Sequence, residues 1–416
     1  MKRLKVLISA YACEPGKGSE PGVGWNWVLQ LAQHHEVWVI TRANNRMAIE
    51  QITGSKPLPN IHWIYFDLPG WARFWKKGQR GIRLYYYLWQ IGAYFLGKRF
   101  HDSIGFDIVH HVTFVTYWMP SFLSLLPVRF VWGPVGGGES TPKAMFEALS
   151  WKGKLYEVTR TVVRWLGEHN PFVRITARRA QLVLATSSET EQRLRLMGCR
   201  SIRILSQVAL PIEEIEFLSK LQPSSSTPFR LISLGRLLQL KGFHLGLEAF
   251  AVFQQKFPDS EYWVIGDGPE RNHLESLAKK LGVSNKVKFW GALSREEVFE
   301  KLANCHVLVH PSLHESGGWV CVEAMAAGRP VICLALGGTA LQVTAETGYC
   351  ISPHSHKQVV KDMAEAMYTL ARNRELRKQM EKAARWRVRE HFSWEKKGEL
   401  MNRLYRDIMT GFLCFF

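Results

Sequence analysis

The chain has 416 residues, of which 46% are hydrophobic and 22% are charged, a composition typical of a globular protein. Its length exceeds that of a single hydrophobic core and favours two domains. Lys and Arg number 54 against 36 Asp and Glu, a formal net charge of +18, so we expect anionic partners: phosphorylated substrates, nucleic acid or an anionic membrane face.

Cysteine usage and hydropathy exclude several classes of protein. The seven cysteines are odd in number and form no C-x-x-C pair, which argues against a disulfide framework or a zinc site and favours the reducing cytoplasm. No apolar run approaches the roughly 18 to 20 residues of a membrane span. The run at 6–12 after MKRLK is short for a signal peptide, so we expect a buried first strand there.

Short apolar segments alternate with helix-like stretches, which predicts βα units around parallel sheets. The first series of predicted strands is 5–12, 35–41, 61–68, 106–114, 129–134 and 182–187. The second series is 230–236, 261–268, 287–293, 306–312, 329–335 and 347–352. We therefore predict an α/β fold of two Rossmann-like, doubly wound domains facing across a cleft.

The predicted domain boundaries follow from composition. PIEEIEFLSKLQPSSSTPF, with a proline near each end and a serine run, is interpreted as a linker at 209–228. The N-terminal domain then covers 1–208 and the C-terminal domain 229–390. We expect a C-terminal helix within 391–416 to pack back on the N-terminal domain.

Two glycine-rich segments follow strands of the first series. ACEPGKGSEPGVGWNW precedes a helix predicted at about 25–33, and its glycines, including Gly24, are compatible with phosphate binding or with a plain tight turn. GPVGGGE at 133–139 is interpreted as an acceptor-side or sugar-binding loop formed by Gly136, Gly137, Gly138 and Glu139, in preference to a flexible turn.

The second domain opens with two cations at the end of a strand. In SLGRLLQLKGF, Arg236 and Lys241 follow the strand and are flanked by Gly235 and Gly242. Arg binds two phosphate oxygens at once and Lys acts as a point charge, so the pair suits a diphosphate. Solvation at the surface is the alternative for either side chain alone.

Two carboxylates stand eight positions apart in HPSLHESGGWVCVEAMAAGRP. The pattern places Glu315 in the loop after a strand and Glu323 in the following helix, with Gly317 and Gly318 at the helix start. Carboxylates accept hydrogen bonds from sugar hydroxyls, and backbone N–H groups donate to sugar or phosphate oxygens. Helix capping by Glu315 and solvent exposure of Glu323 are the structural alternatives.

These motifs together resemble those of the retaining glycosyltransferases of family 4, which have the GT-B fold. The G-R-x4-K-G signature appears as GRLLQLKG and the E-x7-E element as ESGGWVCVE, with VIGDGPE, HPS and EAMAAGRPV in the family's order. The resemblance implies a nucleotide-sugar donor on the C-terminal domain and an acceptor on the N-terminal one. It also implies catalysis without a bound metal or other cofactor.

Carried over by position, the resemblance assigns Arg236 and Lys241 to the donor diphosphate, Glu323 to the ribose and Glu315 to the transferred sugar. The backbone at 317–319 would face sugar and phosphate, and the strand end at 289–293 would lie near the base. With Gly24 added, the expected donor-binding residues are Gly24, Gly235, Arg236, Lys241, Gly291, Gly317, Gly318, Trp319 and Glu323. The expected catalytic residues are Glu315, Arg236, Lys241, His110 and His111.

Two departures from the family pattern concern the sugar pocket. An aromatic residue is frequent in the family where Gly317 stands, which predicts a more open pocket here. The family tends to show H-x-H after the N-terminal strand, whereas His110 and His111 are adjacent. Either histidine is compatible with contact to the sugar or with a buried structural role.

Two basic, aromatic segments predict contact with an anionic membrane. They are 71–100, WARFWKKGQRGIRLYYYLWQIGAYFLGKRF, and 151–179, WKGKLYEVTRTVVRWLGEHNPFVRITARR. Packing of these aromatics in the core is the alternative. We expect a cytoplasmic protein, peripheral at the membrane face, acting on a saccharide or lipid-linked acceptor in cell-surface or exopolysaccharide synthesis.

Two other functions are weaker alternatives. A nucleotide-sugar epimerase shares the architecture but would form product without an acceptor. A polyanion-binding protein is supported only by net charge, and we expect no nucleic acid partner. Neither accounts for the E-x7-E and G-R-x4-K-G patterns together.

Overall fold

A computed structural model describes residues 3–411 except 77, 79, 80, 147–150 and 222–226. The chain divides into two compact units. Unit 1 comprises Met1–Gly138, Thr161–Gln207 and Trp394–Phe416, and unit 2 comprises Glu139–Arg160 and Val208–Ser393.

Unit 1 is built on a parallel sheet with the strand order β3-β2-β1-β4-β5-β6-β7 in its described residues. The strands are β1 (Lys5–Ser9), β2 (Glu36–Thr41), β3 (Ile61–Tyr65), β4 (Ile108–His111), β5 (Arg129–Val135), β6 (Ala180–Ala185) and β7 (Ile202–Ile204). The apolar runs of β1, β2, β4, β5 and β6 are buried on both faces, as expected for a parallel sheet covered by helices.

Unit 2 repeats this winding with the order β10-β9-β8-β11-β12-β13 in its described residues. The strands are β8 (Phe229–Leu234), β9 (Ser260–Ile265), β10 (Val287–Gly291), β11 (Val307–His310), β12 (Val331–Leu334) and β13 (Gly348–Ile351). Strand order reverses between β8 and β11, as it does between β1 and β4. Ligands of such sheets bind at this reversal, beyond the carboxyl ends of the strands.

Helices connect the strands of both units. In chain order they are α1 (Ser19–His34), α2 (Arg46–Ser55), α3 (Gly70–Arg73), α4 (Ile82–Ile104), α5 (Lys143–Phe146), α6 (Trp151–His169), α7 (Pro171–Arg179), α8 (Ser188–Leu196), α9 (Ile212–Ser219), α10 (Phe243–Lys256), α11 (Arg271–Lys280), α12 (Arg295–Ala303), α13 (Trp319–Ala326), α14 (Gly337–Gln342), α15 (His356–Arg372), α16 (Arg374–His391) and α17 (Trp394–Thr410). Short 3-10 turns lie at Ala43–Asn45, Phe122–Leu125 and Gln239–Lys241. Within the described ranges, no helix combines the length and the apolar character needed to cross a bilayer.

Each unit has its own apolar core. In unit 1, Trp89 and Trp132 are fully buried beside the strands, and in unit 2 Phe250 and Met367 are. Burying a large apolar side chain contributes roughly 1.5 to 3 kcal/mol, so these layers are the main source of stability in each unit.

The two doubly wound Rossmann-like sheets confirm the predicted fold class, and each predicted strand is present. Most of the observed strands end earlier than predicted, because the chain leaves the ladder to form loops there; β2 and β5 are the exceptions. The short strand β7 was not predicted, since its Arg203 and Ile204 are exposed and give no apolar run.

The division into units differs from the predicted boundaries in two places. Residues 139–160 belong to unit 2, although the sequence analysis assigned all of 1–208 to one domain. The predicted linker 209–228 contains α9, whose Ile215 and Leu218 are buried in a core cluster of unit 2. Its residues 222–226 lie outside the described part of the chain.

The C-terminal segment belongs to unit 1. Helix α17 lies against α1, where the rings of Trp27 and Trp394 are 5.6 Å apart in an edge-on contact. Residues 412–416, also part of the predicted C-terminal segment, lie outside the described residues.

Candidate functional site

The candidate site is built at the carboxyl ends of β8 and β11 in unit 2. After β8 the chain turns at Gly235, with φ +144°, and reaches Lys241 through the turn Gln239–Lys241. Gly242 follows with φ +67°, and a Cβ atom there would lie 2.0 Å from the carbonyl oxygen of Pro311. The loops after β8 and β11 therefore pack directly on each other, which only glycine permits at this position.

This packing brings Lys241 and Glu315 together as an ion pair, with the Lys241 ammonium donating to Glu315 Oε2. His310 Nε2, at the end of β11, lies 3.4 Å from the same oxygen. Burial alone would raise the pKa of Glu315, but His310 and the Lys241 charge hold it well below its usual range. Glu315 is therefore a fixed anion.

Arg236 lies on the same loop and is exposed. Its side chain makes no hydrogen bond or ion pair with any residue that the structure describes. A guanidinium with free donors is available for an anionic ligand, and the Lys241 ammonium has three donors, one of which is used on Glu315.

Helix α13 starts close to this pair. Gly317 is buried and its carbonyl oxygen accepts a hydrogen bond of 2.5 Å from Gln342 Nε2. Gly318 caps the helix with φ +82°, and a Cβ there would lie 2.7 Å from the methyl group of Thr339. Trp319 is the first helical residue, so the helix N-terminus begins just after Glu315.

Glu323 is buried one turn into α13 and has a defined cationic partner. Arg295 Nη2, at the start of α12, donates to Glu323 Oε1 over 2.9 Å and to Glu214 Oε1 over 2.5 Å. Burial raises the pKa of Glu323 to about 7, and Arg295 only partly offsets this effect. Glu323 is thus neither solvent-facing nor a permanent anion at neutral pH.

Gly291 ends β10 with φ +75°, and its carbonyl oxygen accepts a hydrogen bond of 2.7 Å from Gly266 N. Arg271 Nη1 would lie 3.6 Å from a Cβ at this position. This strand end was predicted to lie near the base of a donor.

Glu139 belongs to unit 2, where it contacts the loop that carries Glu315, whereas the glycines that precede it in sequence belong to unit 1. Its Oε2 accepts a hydrogen bond of 2.8 Å from Ser316 Oγ, and its carbonyl oxygen accepts one of 2.7 Å from Arg160 Nη1. The carbonyl oxygen also lies 3.2 Å from His314 Nε2. The predicted acceptor-side grouping is therefore split between the two units.

Gly136, Gly137 and Gly138 stay in unit 1, where close packing explains them. A Cβ at Gly137 would lie 2.3 Å from the ring of Trp118, and one at Gly138 would lie 2.3 Å from Thr190 Cα. Gly136 forms an isolated bridge with Thr116. Contact of these glycines with an acceptor stays a prediction.

Gly24 lies inside α1 rather than in a loop, because the helix begins at Ser19 and not near residue 25 as expected. A Cβ at Gly24 would lie 2.1 Å from the carbonyl oxygen of Ala12. The glycine thus lets α1 approach the loop after β1, a packing role. Contact of Gly24 with a donor stays a prediction.

The adjacent histidines point to opposite faces of β4, as alternation along a strand requires. His110 Nε2 donates to the Gly133 carbonyl oxygen over 2.7 Å, so its Nδ1 accepts from the Tyr405 hydroxyl over 2.6 Å. Burial lowers the pKa of His110 to about 4. Both ring nitrogens are therefore committed to the protein, which indicates a structural role.

His111 Nε2 lies 2.8 Å from the Tyr86 hydroxyl and 3.2 Å from the Thr113 carbonyl oxygen. Its Nδ1 is buried without a hydrogen-bond partner in the described chain. Burial lowers the pKa of His111 to about 3, so it is neutral at physiological pH. Of the two histidines, this one retains a free polar atom.

Several residues at these sites were missed by the sequence analysis. His310, Arg295 and Glu214 contact the two predicted carboxylates, and Gln342 fixes the Gly317 backbone. The one sequence signal among them was His310, which lies within the predicted strand 306–312 and is the last residue of the observed β11.

A further missed residue lies at the strand reversal of unit 1. Glu20 Oε2 accepts a hydrogen bond of 2.9 Å from Phe114 N, in the loop after β4. Burial raises the pKa of the Glu20 carboxyl group.

In the described residues, no group of three or more His, Cys, Asp or Glu side chains is arranged to hold a metal ion.

Comparison with known proteins gives a family match within unit 2. The model described as "Glycosyl transferases group 1" matches residues 214–387. The lipopolysaccharide core biosynthesis glycosyltransferase LpsE of Rhizobium meliloti is 40% identical over 114 residues, which are 27% of this chain and 32% of that protein. The matched segments span less than half the length of these curated relatives.

Solved structures resemble the whole chain in fold. A glycosyltransferase from Rickettsia africae has a TM-score of 0.67 at 15% identity, covering 98% of this chain and 99% of that one. Anabaena Alr3699/HepE in complex with UDP and glucose has a TM-score of 0.60 at 18% identity, covering 97% and 100%. The chain therefore shares its fold of two Rossmann-like units, the GT-B fold, with these solved structures, and the match to the group 1 family model lies in the second unit.

Proposed function

We propose that this chain is a retaining glycosyltransferase of family 4 that moves a sugar from a nucleotide-diphosphate donor to a saccharide or lipid-linked acceptor. The observation that carries the proposal is the Lys241–Glu315 ion pair at the strand reversal of unit 2, on a loop whose exposed Arg236 has no side-chain partner among the described residues. These residues fall within the segment that matches the group 1 family.

Arg236 and Lys241 bind the donor diphosphate in this proposal. Cleavage of the bond between the sugar and the phosphate moves negative charge onto the leaving group. Fixed cations stabilise that charge where it develops, and a partly buried site strengthens their effect. The two cations fill this role in place of a bound metal, so no cofactor is needed.

Glu323 and the start of α13 bind the rest of the donor. The Glu323 carboxylate accepts hydrogen bonds from the ribose hydroxyls, and the backbone around Gly318 faces the sugar and phosphate. Gly291, at the end of β10, lies near the base. Support comes from the burial of Glu323 in a helix that begins just after Glu315.

Glu315 positions the transferred sugar and does not attack it. Its ion pair with Lys241 and its lowered pKa keep it anionic, suited to accepting hydrogen bonds from sugar hydroxyls. The bond from the sugar's anomeric carbon to the phosphate oxygen breaks as the bond to the acceptor oxygen forms. The acceptor's proton passes to the departing phosphate, and attack from the leaving-group side retains the configuration.

We assign acceptor binding to unit 1. The Glu20 carboxyl group, held against the loop after β4, and the free Nδ1 of His111 lie near its strand reversal. A role in cell-surface or exopolysaccharide synthesis is supported by the similarity to LpsE, a lipopolysaccharide core biosynthesis glycosyltransferase. We place this activity at the cytoplasmic membrane face as part of the proposal.

Product analysis tests this function. The protein is incubated with UDP-, GDP- and ADP-sugars, with and without saccharide acceptors, and the anomeric configuration of any product is read by NMR. We expect a glycoside with the donor's configuration, formed only with an acceptor. Product formed without an acceptor would favour an epimerase, and an inverted glycoside would contradict the retaining mechanism.

A matched pair of arginine variants links the product to the site. Arg236→Gln removes the unpartnered guanidinium, and we expect it to lower the transfer rate by about 100-fold or more. Arg200→Gln removes another exposed arginine, in unit 1, and leaves the rate unchanged. Equal transfer rates for the two variants would contradict the proposal that Arg236 binds the donor diphosphate.

A further inference from the structure

Helix α6 exposes its apolar side chains. Val162 and Trp165 are 51% and 56% exposed, and Leu155 is 57% exposed. The exposed set continues along the whole helix: Trp151, Leu155, Val158, Val162, Trp165 and Leu166. Most of these residues recur at intervals of three and four, so they form one continuous stripe on the helix surface.

The opposite side of α6 carries charged and small residues, and this is the side that faces the protein. Glu157 and Arg164 are each only 4% exposed. Gly167 packs so closely that a Cβ there would lie 2.3 Å from Trp118 Cβ, and the Arg164 guanidinium lies over the Trp118 ring. The helix is therefore inverted relative to an ordinary surface helix, whose apolar face is buried.

The charge around this stripe favours a negatively charged surface. Residues 151–179 contain seven Lys or Arg residues and two Glu residues. Of the two, Glu157 faces inward and Glu168 accepts a hydrogen bond of 2.7 Å from the Tyr117 hydroxyl. On α7, the exposed Phe172 and Ile175 alternate with exposed arginines, so apolar and basic groups continue beyond α6.

We infer that the apolar stripe of α6, continued by α7, docks on an anionic lipid bilayer. Apolar and aromatic side chains enter the boundary between headgroups and acyl chains, while the basic residues attract the anionic headgroups. The helix lies in the plane of the membrane and does not cross it.

This inference shifts the membrane contact away from 71–100, where the sequence analysis also placed it. In α4 the aromatic residues Tyr85, Tyr86 and Trp89 are buried in the core of unit 1. The segment retains exposed Trp71 and Phe74, whereas its residues 77, 79 and 80 lie outside the described residues. The inference rests on the proposed function only in that a lipid-linked acceptor gives docking a purpose.

Vesicle sedimentation of the full chain tests the inference. We expect it to bind vesicles of phosphatidylcholine and phosphatidylglycerol, with weaker binding at high salt and little binding to phosphatidylcholine alone. The double variant Val158→Glu/Val162→Glu should lower this binding by about tenfold or more, because it places charge on the apolar stripe. Leu196→Glu, at a position that is 82% exposed on α8, is the control and should bind as the unaltered chain does.

The outcomes separate docking from folding, self-association and catalysis. Equal vesicle binding by the double variant and the unaltered chain overturns the inference. Light scattering gives a second contradicting outcome. If the unaltered chain is a dimer, and the double variant is a monomer that binds vesicles equally well, then the stripe joins two copies of the chain and does not dock on lipid. Circular dichroism establishes that the variant is folded. The double variant should transfer sugar to a soluble acceptor at the same rate as the unaltered chain. If the unaltered chain itself shows no transfer, the proposed function is contradicted, whereas the docking surface is tested by vesicle binding alone.

Discussion

Glu315 is half-buried and Glu323 is buried on the same segment of chain, yet their surroundings move their pKa values in opposite directions. Glu315 has Lys241 and His310 against a single oxygen, so its anion is stabilised. Glu323 shares Arg295 with Glu214, so burial prevails and raises the pKa of Glu323 to about 7. The first is suited to hold a ligand at any physiological pH, and the second responds to pH.

Replacing Glu315 tests its electrostatic role. Glu315→Gln leaves Lys241 without its anion, so we expect the free energy of unfolding at neutral pH to fall by about 1 to 3 kcal/mol. Because the pKa of Glu315 is lowered by folding, its contribution is present above the usual value of 4.5 and is lost as the pH falls. Urea unfolding should therefore show the unaltered chain and the variant converging below about pH 4.5.

The control for this measurement is Glu50→Gln, which breaks the exposed Arg46–Glu50 pair on α2. Its effect on the free energy of unfolding should not exceed about 0.5 kcal/mol. A gap between Glu315→Gln and the unaltered chain that stays constant down to low pH contradicts the proposed ionisation of Glu315.

Glu323 makes a prediction for nucleotide binding. Ribose hydroxyls that donate to its carboxylate favour the ionised form, whereas burial favours the neutral form below pH about 7. The affinity for a nucleoside diphosphate should therefore rise as the pH increases through about 7. Glu323→Gln cannot ionise, so subtracting its calorimetric pH profile removes the titration of the ligand's own phosphate. Parallel profiles for the two proteins would show that Glu323 does not contact the ligand.

For single residues, the sequence predicted which site residues lie together, but it did not predict the other side chains that contact them. The spacing of Arg236, Lys241 and Glu315 after two strands was enough to place them at one sheet edge, and the pairing of Lys241 with Glu315 agrees with this. Arg295 was missed because it lies at the start of a helix after β10 and carries no motif of its own. His110 was misleading because its partner Tyr405 lies 295 residues away in sequence.

At the scale of elements, the site depends on the contact between the loops that follow β8 and β11. Gly242 makes this contact possible, since a Cβ atom there would lie 2.0 Å from the carbonyl oxygen of Pro311. Helix α10 begins at the next residue, Phe243, so the same glycine also sets where the helix starts.

Gly242→Ala tests this loop contact. The substitution combines strain at φ +67° with a clash at 2.0 Å, and we expect the free energy of unfolding to fall by about 2 kcal/mol or more. Gly282→Ala is a matched control, with φ +72° and nothing within 4 Å, and should cost about 1 kcal/mol. Urea unfolding measures both. Equal losses would show that backbone strain alone explains Gly242 and that the loops do not press on each other.

The sequence predicted strands better than helix starts or the reasons for individual glycines. Apolar runs define buried parallel strands directly, because both of their faces are covered. The start of α1 was placed about six residues too late, because Gly22 and Gly24 were taken as a loop. Both are helical and allow the close approach of α1 to the chain before it, a tertiary requirement that local propensity does not report.

At the scale of the whole molecule, two domains of the same winding follow from length and from the two series of strands. What the sequence did not predict is that residues 139–160 leave unit 1 and join unit 2. Met145 from this excursion is buried in a core cluster of unit 2, and Glu139 contacts the Glu315 loop. The assignment of 139–160 to unit 2 depends on contacts with residues distant in sequence. No change in amino-acid composition marks this segment.

In the proposed function, unit 2 binds the diphosphate of a nucleotide-sugar through Arg236 and Lys241. A thermal unfolding scan with UDP-, GDP- and ADP-sugars tests it most directly, because a ligand that binds only the folded chain must raise its stability. We predict that at least one of these donors raises the melting temperature of the unaltered chain and of Arg200→Gln, and that Arg236→Gln loses most of this shift. No shift with any donor, or a full shift in Arg236→Gln, would contradict the account.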